Sequence, residues 1–301
     1  MTFDVMGRRR VFFLISGLLV LASAVLLATR GLNLGIDFTQ GTLMERGFER
    51  VVSETELRQA LADPALQNVN LGTPRVQHLG DGRQVLIRVP ALSNEAIATI
   101  DRVLGERFGP VEVLRTEVVH PVIGAELLRR ALLSLGLAAV GVLVYVSIRF
   151  EYSFGLMAIV ADLHDALIAL GVLSLLGWEV NTAFIAAILT VVGYSINDTI
   201  VVYDKIREVR SAHPRLSPAE AANRGVQETF VRSINTSLTT LVAVAVLVAL
   251  GGETLRVFSV TLLVGILVGT YSSIFVASPL WVSWTEWLHR RSTRVRQASA
   301  S

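Results

Sequence analysis

The sequence predicts a membrane-embedded all-α bundle of six transmembrane helices, with an α+β domain of βαββαβ order inserted after the first. Three observations predict it. The chain is 52% hydrophobic and 17% charged, against about 25% charged residues in a soluble domain, and its mean hydropathy is +0.57. Apolar stretches of about 20 residues, enough to cross a bilayer, occur at 11–28, 131–148, 154–176, 180–203, 234–250 and 257–280. Between the first two lies a polar-patterned stretch of roughly a hundred residues, long enough to fold as a domain of its own. The formal net charge of +2 is too small to imply a nucleic-acid-binding face. With no cysteine and five scattered histidines, the chain offers neither a disulfide framework nor a zinc-enzyme pattern. No metal or other cofactor is called for.

The first span follows Arg8, Arg9 and Arg10, and Ala22-Ser23-Ala24 inside it resembles a signal-peptidase site. Because the apolar run continues past that site, it is read as an uncleaved anchor, giving a tail and first helix over 1–30. The inserted domain, 31–123, has a legible order. Residues 42–48 read as a strand, and Ser53-Glu54-Thr55-Glu56 is a capping box opening a helix to about Leu61. Residues 75–79 and 84–89 flank Gly80-Asp81-Gly82-Arg83, a hairpin signal. Ser93 opens a second helix with Ile97, Ile100, Val103, Leu104 and Phe108 on its apolar face, Gly109 and Pro110 stop it, and 111–119 is the last strand. This is the ferredoxin-like order.

The remaining five spans make up 124–288. Ser217-Pro218-Ala219-Glu220 combines an N-cap, a proline at the first helical position and a glutamate at the third, so a cytoplasmic helix over about 217–232 leads into the fifth span. Residues 289–301 form a basic tail. Six spans put both termini on one side. Arg8 to Arg10, Arg149, Lys205, Arg207, Arg210, Arg215, Arg224, Arg290, Arg291, Arg294 and Arg296 all fall on that side, and the opposite short loops hold only Glu179, Glu253 and Arg256. The positive-inside rule makes the shared side cytoplasmic and the 31–123 domain external. Trp281, Trp284 and Trp287 are expected at the cytoplasmic interface.

Polar residues interrupt three consecutive spans: Asp162, His164 and Asp165 in the third, Asn197 and Asp198 in the fourth, Arg232, Asn235, Thr236, Ser237, Thr239 and Thr240 in the fifth. Asp162 and Asp165, three apart, share a helix face, as do Ser195, Asp198 and Val202. A charge at the bilayer core costs about 3 kcal/mol or more, so an intramembrane carboxylate is a functional candidate by default. Asp198 is read as exchanging a proton, controlled by an arginine moving toward or away from it; the competing reading is a carboxylate that reaches the interface. Asp162, His164 and Asp165 serve proton movement or helix-to-helix hydrogen bonding, and Arg232 competes with a role as a positive-inside anchor. In the last span Thr261, Gly265, Gly269, Ser273 and Ala277 recur every fourth residue, a small-residue stripe read as a close-packing face.

The chain resembles the SecF family, the smaller subunit of the SecDF protein-export complex within the resistance-nodulation-division superfamily. The resemblance rests on Gly35-Ile36-Asp37-Phe38-Thr39-Gln40-Gly41-Thr42, Val122-Ile123-Gly124-Ala125-Glu126-Leu127, Leu163-His164-Asp165, the run GYSINDTIVVYDKIRE at 193–208, and Arg232-Ser233-Ile234-Asn235-Thr236-Ser237. Gln40 and His120 stand where that family commonly has glycines. The resemblance implies a multi-pass subunit of the bacterial inner membrane with a periplasmic ferredoxin-like domain. It implies use of the proton motive force late in export, with SecD, the SecYEG channel and YajC as partners and a translocating preprotein as cargo. Asp198 then corresponds to the proton-carrying carboxylate and Arg232 to its regulator, with Asn197, Asp162, Asp165 and Asn235 along the pathway. No enzyme activity is implied. Two alternatives stand beside it: half of a proton-driven exporter of small molecules or lipids, and an intramembrane aspartyl protease, for which Tyr203-Asp204 lacks an accompanying G-x-G-D.

Overall fold

Local capping chemistry sets where the helices of the 34–131 unit begin. The computed structural model describes residues 4–79, 82–119 and 121–298, and the chain divides into two compact units, Leu34–Ala131 and the remainder, Met1–Asn33 with Leu132–Ser301. In the first unit a short helical turn, α2 (Ile36–Thr39), precedes β1 (Gly41–Phe48), α3 (Glu54–Leu61), β2 (Arg75–Leu79), β3 (Gln84–Val89), α4 (Asn94–Phe108) and β4 (Val111–Val119). Glu56 N–H donates to Ser53 Oγ at 3.3 Å, and Ser53 N–H donates to Glu56 Oε2 at 2.9 Å, so two donors that the helix start would orphan are satisfied. Ser93 caps α4 in the same way through Ala96 N–H. Of the expected hairpin, Gly80 and Asp81 lie outside the described residues, as does His120.

The four strands form one antiparallel sheet in the order β2-β3-β1-β4, with β2 and β4 at its edges. Alternation along β3 sends Val85, Ile87 and Val89 to the face covered by α3 and α4, where they join Met44, Phe48, Leu57, Ile100 and Leu104. On the opposite face Ile36 packs with Leu43 and Leu86. A bulge between Glu45 and Arg46 breaks the β1–β4 register. Arg46 is fully buried there, its fork donating to both carboxylate oxygens of Asp101 at 2.7 and 3.1 Å and to the Glu45 and Arg115 carbonyls.

The other unit holds α1 (Arg9–Arg30), most of α5 (Pro121–Arg149), α6 (Tyr152–Leu176), α7 (Thr182–Ala212), α8 (Pro218–Leu250), α9 (Gly252–Ser272), a π-helical turn at Ser273–Ala277 and α10 (Ser278–Ala298). Among the described residues six helical stretches are long and apolar enough to cross a membrane; the last, Leu255–Arg291, runs through the π turn without a break. The helices outrun their apolar cores. α5 starts ten residues before the apolar stretch and α7 runs past its own to Ala212, while α7 starts at Thr182, just inside the stretch, because Asn181 caps it through Phe184 N–H at 3.0 Å. α8 is one helix from its Ser217–Glu220 capping box to Leu250. Trp281 is fully buried and stacked on Phe154, with ring centroids 4.6 Å apart, while Trp287 is exposed.

Candidate functional site

The carboxylates of the third span end up in two different environments. Asp165, on α6, is almost fully buried, and its Oδ2 accepts from Ser195 Oγ of α7 at 2.9 Å and from Ser272 Oγ at the end of α9 at 2.7 Å. Its Oδ1 lies 2.9 Å from His164 Nδ1. Three helices are thereby tied to one side chain, which is how polar groups join helices where water is absent. Asp162, one turn earlier on the same face, is also buried, yet its Oδ1 has no hydrogen-bond partner among the described residues. It lines an apolar cavity of about 170 Å³ with residues of α5, α6 and α7.

Asp198 belongs with Asp162. It is buried on α7, and among the described residues its Oδ2 makes no hydrogen bond, nor does the hydroxyl of Ser233, which is buried on α8. A buried polar atom left in that state costs about 1–3 kcal/mol, more when it is charged. An acid that binds a proton escapes most of that cost, so the arrangement is chemically suited to holding a proton. No group of three or more metal-binding side chains occurs among the described residues.

The sequence-predicted residues do not all converge. Asn197 points away from Asp198 and is exposed, as are Arg232 and Asn235 on α8. Among the described residues no hydrogen bond or ion pair joins Arg232 to Asp198. The buried polar stripe of α8 is Thr229, Ser233 and Ser237, and Ser237 Oγ accepts from Tyr194 at 3.3 Å and from Thr270 at 2.6 Å. The small-residue stripe is where α9 meets α7. A Cβ built at Gly265 would clash with the Val191 side chain, and one at Gly269 would lie 3.1 Å from the Ser195 Cβ. Ser273 Oγ bonds Thr199 Oγ1 at 2.8 Å and donates to the Gly269 carbonyl at 2.9 Å.

Sequence reasoning missed Ser195 and Ser272 as partners of Asp165, and it missed the π turn. Tyr203 Oη donates to the Ala277 carbonyl within that turn at 3.1 Å, and Ser278 Oγ donates to the Ser273 carbonyl at 3.2 Å, so side chains take up carbonyls that the wider turn frees. The clustering of Ser272, Ser273 and Ser278 in an apolar span was the available signal.

Two family models match. The one described as "Protein export membrane protein SecD/SecF, C-terminal" covers residues 100–287, and the "SecD/SecF GG Motif" covers 25–45. The chain is 42% identical over 281 residues to the protein translocase subunit SecF of Sebaldella termitidis, covering 93% of this chain and 91% of that one. It is 40% identical over 283 residues to the protein translocase subunit SecDF of Thermus thermophilus, covering 94% of this chain and 38% of the relative. A crystal structure of SecDF from Thermus thermophilus, titled a translocon-associated membrane protein, superposes with a TM-score of 0.87 at 38% identity, over 95% of this chain and 39% of that chain. The chain thus spans about two fifths of the fused relatives and nearly all of the SecF ones.

Proposed function

The chain belongs to the SecD/SecF protein-export family, and from that premise we propose that it is a SecF-type translocase subunit that, paired with SecD, couples the proton motive force to late protein export. The fused relative supports the pairing, since one SecDF polypeptide contains both a counterpart of this chain and a further stretch about half as long again. The translocase names carried by the relatives favour this reading over an exporter of small molecules or lipids. SecYEG and YajC are the further partners, with a preprotein as cargo.

In this reading residues 1–30 are a tail and first span, 31–123 a periplasmic domain of ferredoxin-like type, 124–288 a five-helix bundle and 289–301 a basic tail, with both termini cytoplasmic. The βαββαβ order and the strand order β2-β3-β1-β4 support the ferredoxin-like assignment. Asp198 carries the proton, Arg232 regulates it, and Asn197, Asn235, Asp162 and Asp165 lie along its route. Gly265, Gly269 and Ser273 allow the close helix contact that holds the site together.

The observation that carries this reading is the unpartnered carboxylate oxygen of Asp198, buried inside a span. Each proton moved across 100 mV supplies about 2.3 kcal/mol, a bias of some fifty-fold at about 1.4 kcal/mol per tenfold. Asp198→Asn keeps shape and hydrogen bonding but cannot ionise. Preprotein export from inverted vesicles at fixed ATP, with and without an imposed gradient, is expected to lose its gradient dependence in Asp198→Asn while SecD still co-purifies. A variant that responds to the gradient as wild type does removes Asp198 from the path.

A further inference from the structure

The first and last of the membrane-length helices meet in a seam. Arg9 of α1 donates from both arms of its fork to the Glu286 carboxylate of α10, at 3.2 and 2.8 Å. Farther along α1, Ser16 Oγ lies 3.2 Å from Tyr271 Oη. Advancing along α1 thus means going back along the last span, so the two run antiparallel. Arg9 begins the first membrane-length stretch and Arg291 ends the last, which sets the seam at the depth where a bilayer presents its headgroups.

The antiparallel arrangement decides which side chains flank the seam. Successive helical side chains lie about 100° apart, and two antiparallel right-handed helices viewed from one end wind in opposite senses. With Arg9 and Glu286 facing each other, the next residue on each helix, Arg10 on α1 and Trp287 on α10, therefore turns to the same side. Arg290 and Arg291 lie one turn on from Glu286 and Trp287 and follow to that side. Phe12 turns to the other, where it packs on Phe275 with ring centroids 4.5 Å apart. Arg10, Trp287, Arg290 and Arg291 are all exposed.

Charge on that side is in excess. Glu286 is shared between Arg9 and, at 3.8 Å, Arg290. The Arg291 guanidinium sits 5.4 Å from the centre of the Trp287 ring, and among the described residues the Arg10 side chain makes no hydrogen bond or ion pair. The other carboxylates at this end of the bundle are engaged elsewhere: Glu151, Asp204, Glu208 and Glu228 with Arg210, Arg149 and Lys205, Asp4 and Glu220 with nearby backbone N–H groups. Residues 1–3 and 292–301 contain no aspartate or glutamate. Arginines at span ends are common; here an ion pair between two helices holds three of them and a tryptophan to one side of a fixed junction.

We propose that this side of the α1–α10 seam binds the phosphate of an anionic phospholipid, with Arg10 and Arg291 gripping it from the two helices, Arg290 beside them and the Trp287 ring against the glycerol region. Packed helices lie about 8–10 Å apart, a gap that two arginine side chains can close on one phosphate. Basic pockets between transmembrane helices suit such headgroups, and a tryptophan ring settles at their level. The proposal rests on the helices spanning a membrane and not on the translocase reading.

The test measures retention of phosphatidylglycerol, labelled on an acyl chain, by the immobilised full chain in a nonionic detergent, against phosphatidylcholine with the same label. Phosphatidylglycerol is expected to bind at least tenfold better, with roughly fivefold from each arginine near the headgroup. Arg10→Gln and Arg291→Gln should each cut the preference about fivefold, and together bring it close to none. Arg215→Gln removes the same charge from the exposed loop between α7 and α8, and should leave the preference unchanged. Equal binding of the two lipids overturns the proposal, as does an equal loss in Arg215→Gln, which would mean diffuse attraction without a site. Inorganic phosphate or a glutamate-rich peptide held through Arg10 and Arg291 with no lipid preference also overturns it, making the seam a free-anion or protein contact. A chain that still exports in response to the gradient but shows no lipid preference loses this site and keeps its translocase role.

Discussion

Arg46 in the 34–131 unit and Asp198 in the helical bundle are both buried ionisable residues, and they are treated in opposite ways. Four hydrogen bonds fix the Arg46 guanidinium, two of them to Asp101, whereas Asp198 keeps an oxygen that makes no hydrogen bond among the described residues. Asp165 and Asp162 repeat the contrast within one helix turn: Asp165 is anchored by Ser195, Ser272 and His164, and Asp162 has an oxygen left over. A fully satisfied buried charge has one preferred state and serves as a structural tie. A partly satisfied one can change its protonation without breaking a network, and so is suited to switching.

The largest expected effect comes from breaking the best-satisfied site. Arg46→Ala removes the buried half of an ion pair whose partner is about a quarter exposed, and is expected to cost about 3 kcal/mol. Hydrogen exchange on the full chain should then quicken in β1 and α4 and stay unchanged in α7. Unchanged exchange in β1 would mean that the Arg46 network is not a tie.

Next is the pair on α6. Asp165→Leu takes the carboxylate acceptor from the Ser195 and Ser272 hydroxyls, and should lower stability by about 2 kcal/mol. Asp162→Leu replaces a poorly satisfied polar group facing an apolar cavity, and is expected to be neutral or stabilising, as such replacements often are. Thermal unfolding of both variants in one detergent reads the difference. Equal losses would erase the distinction between anchored and free carboxylates.

The smallest effect lies at the cap of α3. Ser53→Ala should cost about 1 kcal/mol, seen as faster amide exchange at the start of that helix. The Ser53 hydroxyl and backbone N–H, with Arg50 beside them, hold the exposed Glu56 down at about 2, against an ordinary value of 4.5. Because the folded value is depressed, the contribution is complete above about pH 4.5 and is lost as pH falls toward 2. Helix α3 should therefore loosen over that window in the wild type, and Ser53→Ala should blunt the dependence. A wild-type α3 insensitive to acid would show that the box contributes nothing in water.

By itself the sequence determined the features whose physics is local. A span is a run of apolar residues matched to a bilayer, a capping box closes within four residues, and strand alternation has a period of two. The six spans, the caps at Ser53, Ser93 and Ser217, and the order of strands and helices in the 34–131 unit were all legible for that reason. The presence of carboxylates in the third and fourth spans was legible too; their partners were not. Which oxygen of Asp165 meets Ser272, 107 residues away, depends on how closely α9 approaches α7 across Gly265 and Gly269. That approach is decided by side-chain volumes on both helices at once. Likewise only the sheet register sets Arg75 opposite Arg88, and only helix packing sends Asp198 inward while its neighbour Asn197 faces out, and stacks Trp281 on Phe154. Contacts between distant segments follow from the joint fit of whole elements, and no short window of residues encodes that fit.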